Sequence, residues 1–359
     1  MNPVNCSLSR FFISLFFLSP LILHSQSSIQ GKVVDEKKQP VPFASVFLVN
    51  TTLGVSSGED GTFEIRNIPN GRYDFTVSAL GFKRFEQSIE FLSADHKIEV
   101  SLMQDPVLLS EVVVRPKDQN GKFMGQFKKL FLGTTDNSLR CDILNPEDLD
   151  FFYDKEAKIL TVQAIRPIVV ENRALGYKLH YTLDLFEYNE MTMVRKVQGA
   201  ERFEDIELKS PKSSGKYRKK RQEAYRGSLR HFMVSLYHNK LKEEGFKVSL
   251  SDSSELKNWN LSSPDTLNLN QFLKGTDIKK FYFKGILRVT YSGESEAWSY
   301  MKSRYSRPQV SYLVFMNDWI SIFENGYYHD QLSILMYGYL AWSEVMSENI
   351  PSDYISIKK

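Results

Sequence analysis

The chain has 359 residues, of which 42% are hydrophobic and 25% charged, and 46 basic against 43 acidic side chains leave a net charge of +3. That is apolar material for two cores, and the charge balance excludes a protein built to hold a polyanion through bulk charge. Two cysteines, Cys6 and Cys141, are too few for a disulfide framework or a cysteine metal cluster.

Arg10 precedes an apolar run, Phe11 to Leu23, broken by Ser14, Ser19 and Pro20 and followed by Ser25-Gln26-Ser27. The charged start, short apolar centre and small residues predict a signal peptide over residues 1–27, cleaved near Ser27. The run falls short of the roughly 20 residues a membrane-spanning helix needs. Cys6 lies ahead of the apolar run, where lipid attachment does not occur, and its removal would leave Cys141 alone. Stability must then come from packed cores.

Residues 28–104 read as a small antiparallel β-sandwich. Val46 and Leu48 alternate with the opposite face over Ala44 to Val49, and Tyr73, Phe75 and Val77 alternate with Asp74, Thr76 and Ser78. Asp60-Gly61 and Asn70-Gly71 supply the positive φ of chain reversals, and Pro40 and Pro42 fit an edge or loop ahead of the next strand. The ordered set Gly31-Lys-Val-Val-Asp35, Pro40-Val-Pro-Phe-Ala-Ser-Val46, Asp60-Gly-Thr-Phe63, Pro69-Asn-Gly-Arg-Tyr73 and Leu80-Gly-Phe82 resembles the carboxypeptidase regulatory-like domain. That resemblance implies a transthyretin (prealbumin)-like sandwich without catalytic apparatus.

Residues 105–122 read as a linker. Within it, Leu109-Ser-Glu-Val-Val-Val114 is similar to the segment that joins this sandwich to the plug in TonB-dependent transporters of the starch-utilisation type. Only about 245 residues follow, without the long series of alternating strands that a transporter barrel requires, so a transporter is excluded. Val112, Val113 and Val114 are expected to end one domain or begin the next; the alternative is a segment that docks on a partner by strand addition.

Residues 123–359 read as a β-rich α+β domain: strands, then a helix, then strands. Phe151 to Tyr153, Ile159 to Ala164, Pro167 to Val170 and Tyr177 to Tyr188 have strand character, with Met191 to Val197 placed to pair with the last. A polar, basic interruption from Lys209 to Lys220 precedes apolar residues at helical spacing, Tyr225 to Leu241, with Gly245 where that helix would stop. Phe281 to Phe283, Ile286 to Tyr291, Val310 to Phe315 and Trp319 to Phe323 return to strands, Asn325-Gly326 marks a hairpin, and Leu332 to Val345 is expected to be a short helix closed by Pro351. Ile143-Leu-Asn-Pro146, Leu175-Gly-Tyr177, Tyr225 to Phe232, Glu244-Gly-Phe246 and Asn325-Gly-Tyr327 resemble the uncharacterised C-terminal half behind the same sandwich in Bacteroidetes-type envelope proteins, which implies architecture but no activity.

Several arrangements imitate chemistry. His96 and Glu99 have the HxxE spacing of zinc carboxypeptidases, with His231 a possible third ligand, but in an alternating strand they point to opposite faces. Gly293-Glu-Ser-Glu-Ala297 approximates a nucleophile elbow, with His329 the only later histidine, yet no parallel sheet with crossover helices surrounds it. His231 and His238 stand two helical turns apart, about 10 Å in rise, too far to share an ion. No phosphate loop or dinucleotide fingerprint is present, and no cofactor or metal is expected.

The basic residues Lys216, Arg218, Lys219, Lys220, Arg221 and Arg226 read first as a solvated loop and helix face, and alternatively as a contact for anionic lipopolysaccharide, phospholipid or glycan; nucleic acid is not expected. The chain is thus expected to be an exported protein, periplasmic or outer-membrane-associated and non-enzymatic, whose sandwich positions residues 123–359 for contact with an envelope protein or glycan. The alternative is an envelope hydrolase with a non-local active site in residues 123–359. A deep pocket with converging ionisable groups would favour the enzyme, and a shallow aromatic surface the contact protein.

Overall fold

The computed structural model describes residues 27–92, 94–105, 121–206, 211–251, 266–302, 305–329, 331–354 and 356. The expected signal peptide, apart from Ser27, and the segment Val112 to Val114 lie outside the described residues.

Seven strands form the first unit: β1 (Ser27–Asp35), β2 (Ser45–Leu48), β3 (Gly54–Ser56), β4 (Thr62–Ile68), β5 (Gly71–Ser78), β6 (Phe85–Phe91) and β7 (His96–Leu102). They make two sheets, β4-β1-β7 and β3-β2-β5-β6, and every pairing is antiparallel except β1 with β7. Val33, Phe63, Ile65 and Val100 from one sheet meet Val46, Phe75, Val77 and Phe91 from the other in one apolar cluster, the sandwich expected from the alternation. Gly31 lies mid-strand in β1, where an added Cβ would fall 1.9 Å from the carbonyl oxygen of Ile98, so β1 and β7 approach as only glycine allows. Gly61 turns with φ +77° as the Asp60-Gly61 pair predicts, and Pro40 touches Val34 only by an isolated bridge.

The second part opens with helix α1 (Lys122–Phe131), ahead of the first expected strand and in a stretch to which the sequence assigned no element. Phe123, Phe127 and Phe131 recur every four residues, and Phe127 packs edge-on against Phe151 and Phe186. The strands β8 (Cys141–Ile143), β9 (Leu149–Asp154), β10 (Ile159–Ala164), β11 (Ile168–Asn172), β12 (Tyr177–Asn189) and β13 (Val194–Asp205) form one sheet, in the order β8-β11-β12-β10-β9 with β13 paired along β12.

Two helices follow. The expected basic interruption is itself helical over α2 (Pro211–Tyr225), and the chain breaks at Gly227, φ +74°, before α3 (Leu229–Tyr237). The expected single helix from Tyr225 is therefore corrected: Ser228 caps α3 by accepting from the His231 amide, which starts the helix there.

The remaining elements are β14 (Phe246–Ser251), β15 (Leu273–Lys274), β16 (Lys279–Phe281), β17 (Gly285–Ser295), α4 (Trp298–Met301), β18 (Pro308–Phe315), β19 (Ile320–Ile322), β20 (Tyr328–His329), β21 (Ile334–Gly338) and α5 (Tyr339–Ser343). They build the sheets β14-β17-β18-β21 and β15-β16-β19-β20. The helix expected over Leu332 to Val345 is a strand followed by one helical turn. The ladder of β21 with β18, Phe315 opposite Ile334, outweighs the local apolar pattern.

Among the described residues, buried apolar side chains gather in three clusters, one more than composition suggested: the sandwich core, one from Phe127 to Phe203, and one from Leu229 to Leu340. No helix among the described residues is long and apolar enough to cross a membrane.

Candidate functional site

The three clusters are joined by the segment 344–354. The Glu344 carboxylate accepts from the first α3 amide, Leu229, at 2.7 Å; the Met346 and Ser347 amides donate to the carbonyls of Phe131, the last residue of α1, and Leu132 just after it; Asn172 donates to the Ser347 carbonyl at 2.9 Å. Further on, the Ser352 amide donates to Asn50 of the sandwich at 2.6 Å, and the Asp353 carboxylate accepts from the amide and hydroxyl of Thr52. Arg230 of α3 fixes this segment, donating to the carbonyls of Pro351, Ser352 and Tyr354 and to Asn325, while its guanidinium lies 5.5 Å over the Tyr225 ring. An arginine fork suits four carbonyls converging on one largely buried point.

The sandwich is also paired directly. The Asn50 amide donates to Glu201 and the Phe203 amide to Thr51, so the turn after β2 runs parallel to β13. Arg84 and Asp184 form an ion pair at 2.9 Å, and Asn325 and Tyr327 donate to the Arg72 carbonyl and the Asp74 carboxylate. Burial pushes the carboxyl of Glu201 up to about 7, with Asn349 donating to it at 3.1 Å, and Glu348 likewise up to about 7 beside Asn137. These acids belong to the junction.

The exposed face of the last cluster carries aromatics. Tyr300 of α4 meets Tyr339 and Trp342 of α5, all with centroids 5.2–5.3 Å apart, while Trp298 on the same short helix and Tyr305 shortly after it in sequence are 70% and 85% exposed. Exposed rings of this size are what contact surfaces are enriched in. Glu294, near this face, is pushed up to about 7 by burial, with Arg226 at 3.8 Å. Two open clefts among the described residues, of about 340 and 580 Å³, are lined by neither Glu294 nor Glu348.

The residues singled out from sequence separate into two kinds. Lys216 and Arg218 are exposed on α2, and Lys219 and Lys220 reach Glu223 on the same helix. Arg221 is committed inward: it donates to the carbonyls of Leu175 and Gly176, pairs with Asp205 at 2.6 Å, and stacks 3.7 Å from the centre of the Tyr177 ring. Arg221 is thus structural, and Arg226 is half-buried beside Glu294. His96 packs edge-on against Phe91 at 4.8 Å while Glu99 pairs with Lys38 on the other face of β7. Ser295 ends β17, bonded to Ser306, in an antiparallel sheet with no elbow geometry. His231 is buried among Tyr225, Phe246 and Tyr291, with its charged form disfavoured by burial, and His238 lies toward Glu324. Among the described residues no three His, Cys, Asp or Glu are grouped to hold a metal. Burial raises the Cys141 thiol to about 12. The segment 344–354 gave no sequence signal, because its partners lie up to 302 positions away.

Residues 29–114 match the CarboxypepD_reg-like domain family, and no curated protein matches the chain. Among solved structures, catechol 1,2-dioxygenase from Acinetobacter sp. ADP1 is 12% identical over 27% of this chain and 59% of that one, with a TM-score of 0.21. A cohesin–X-dockerin complex from Acetivibrio cellulolyticus is 15% identical over 31% and 79%, TM-score 0.22. Phospholipase PlaB from Legionella pneumophila is 13% identical over 27% and 31%, TM-score 0.18. The chain spans less than two thirds of that dioxygenase, and likeness at these scores carries no functional argument.

Proposed function

We propose that this is a non-enzymatic, exported protein of the cell envelope, periplasmic or outer-membrane-associated, in which the CarboxypepD_reg-like sandwich holds the C-terminal part in position for contact with an envelope protein or glycan. The observation that carries it is the packed trio Tyr300, Tyr339 and Trp342 with the exposed Trp298 and Tyr305 near it in sequence, on a body tied to the sandwich by residues 344–354. The signal-like run Phe11 to Leu23 supports export, and the exposed lysines of α2 support a peripheral lipid or lipopolysaccharide contact. The test is capture from envelope fractions by the mature chain and by a Trp298→Ala/Tyr305→Ala variant of unchanged circular dichroism. Loss of the captured component in the variant supports the proposal; equal capture overturns the assigned face.

The hydrolase reading keeps one specific observation, the raised carboxyl of Glu294 beside Arg226. Hydrolysis of any ester, amide or glycoside by the wild type that disappears in Glu294→Gln would replace the contact proposal with this one.

A further inference from the structure

The small sheet β15-β16-β19-β20 carries an uncommon row. Lys274 stands opposite Lys280, Lys280 opposite Ser321, and Ser321 opposite His329, so four side chains cross the whole sheet on one face. Their neighbours Phe281, Ile320 and Ile322 are buried on the other face, which fixes the row outward. Like charges directly opposite on adjacent strands destabilise a sheet. Lys274 and Lys280 nonetheless face each other, and among the described residues neither has an acidic partner within ion-pair distance.

The row forms one wall of the cleft of about 340 Å³, and Arg72 of the sandwich forms another, with Phe323 between them. The Arg72 guanidinium lies 5.5 Å over the Phe323 ring, and its Nε is buried with no hydrogen-bond partner among the described residues. Two rings extend the same face: the Lys280 ammonium sits 4.5 Å over Trp319 and the Lys274 ammonium 4.9 Å over Tyr282, while Trp319 and Tyr282 remain 43% and 39% exposed. Cation–π contacts thus hold both lysines along the wall.

We propose that this seam between sandwich and C-terminal sheet binds an acidic saccharide, its carboxylate or phosphate held by Arg72, Lys274 and Lys280 and its ring lying along Tyr282 and Trp319. Three cations from two units, none with an acidic partner within ion-pair distance among the described residues, call for an oxyanion. The cleft falls at the small end of the roughly 300–1,000 Å³ typical of organic-ligand sites, larger than an inorganic ion fills. The part-exposed rings of Tyr282 and Trp319 and the Ser321 hydroxyl suit the apolar face and hydroxyls of a sugar. The site shares no residue with the Trp298–Tyr305 face, so either can fail without the other.

The test is titration calorimetry of the full mature chain at low salt with galacturonate, glucose 6-phosphate, galactose, adenosine monophosphate and inorganic phosphate. Both acidic sugars are expected to bind, galactose and inorganic phosphate at least tenfold more weakly, and affinity to fall with added salt as exposed charges are screened. Lys280→Gln and Arg72→Gln should each weaken acidic-sugar binding about tenfold, the worth of one charge-assisted contact. Lys37→Gln, at an exposed position of the sandwich that lines no part of the cleft, should leave it unchanged. Because Arg72 touches the seam, Lys280→Gln, at an exposed position, keeps the test valid if Arg72→Gln folds poorly. Inorganic phosphate binding as tightly as the sugars, adenosine monophosphate binding more tightly, absence of acidic-sugar binding, or indifference to Lys280→Gln would each overturn the proposal.

Discussion

Replacing Arg230 with Met should loosen residues 344–354 while leaving the three cores packed. The wild-type guanidinium donates to four carbonyls, Asn325, Pro351, Ser352 and Tyr354, and covers Tyr225. Hydrogen bonds from a charged donor contribute roughly 1.5–3 kcal/mol each, but one side chain's bonds do not add, and Met recovers some of the packing. A loss of about 3 kcal/mol is expected, which raises the local opening constant roughly a hundredfold at 1.4 kcal/mol per decade. Hydrogen exchange read by mass spectrometry measures it. Peptides covering residues 344–354 and 49–53 should exchange about a hundredfold faster, since Ser352 and Asp353 bind Asn50 and Thr52. Peptides from β5 and β12 should stay protected. Arg230→Lys should fall between, because an ammonium cannot reach all four acceptors as a fork does. Unchanged exchange in residues 344–354 would refute the role given to Arg230, and uniform loss of protection would show that the segment is inseparable from the cores.

Burial holds the Glu201 and Glu348 carboxyls near 7, above the 4.5 of an ordinary glutamate, so the folded chain binds more protons than the unfolded chain between those values. Their contribution to stability is therefore full below about 4.5, is lost as pH rises to about 7, and is level beyond; Glu201→Gln should flatten that part of a urea-midpoint profile against pH. Arg221→Gln should cost about 2 kcal/mol in denaturant unfolding, since it leaves the Leu175 and Gly176 carbonyls without their donor, whereas Lys219→Gln should change stability by less than about 0.5 kcal/mol. Gly31→Ala should destabilise the sandwich by about 3 kcal/mol or more and lower the yield of folded protein, because its Cβ would overlap the Ile98 carbonyl.

The sandwich was legible because its signals are local: the alternation Tyr73, Phe75, Val77 and the turn at Gly61 depend on neighbours in sequence. The long hairpin β12–β13 was legible for the same reason. Helix α1 was missed since Gly121 at its start offers no side-chain cap and its three phenylalanines suit either period. β21 was misread because Leu335 and Tyr337 on its exposed face are as apolar as Ile334 on its buried one, which hides the period of two. The basic stretch shows the limit most clearly: Lys219 and Arg221 look alike in sequence, yet one reaches solvent and the other stacks on Tyr177. The junction was invisible because Asp353, Glu201 and Arg230 acquire meaning only once distant strands meet.

The claim that the sandwich positions the C-terminal contact face is tested most directly by comparing envelope capture by the wild type, by Trp298→Ala/Tyr305→Ala and by Arg230→Met. Capture should fall in both variants, in the second while its cores remain protected from exchange. Full capture by Arg230→Met, with residues 344–354 exchanging freely, would contradict it.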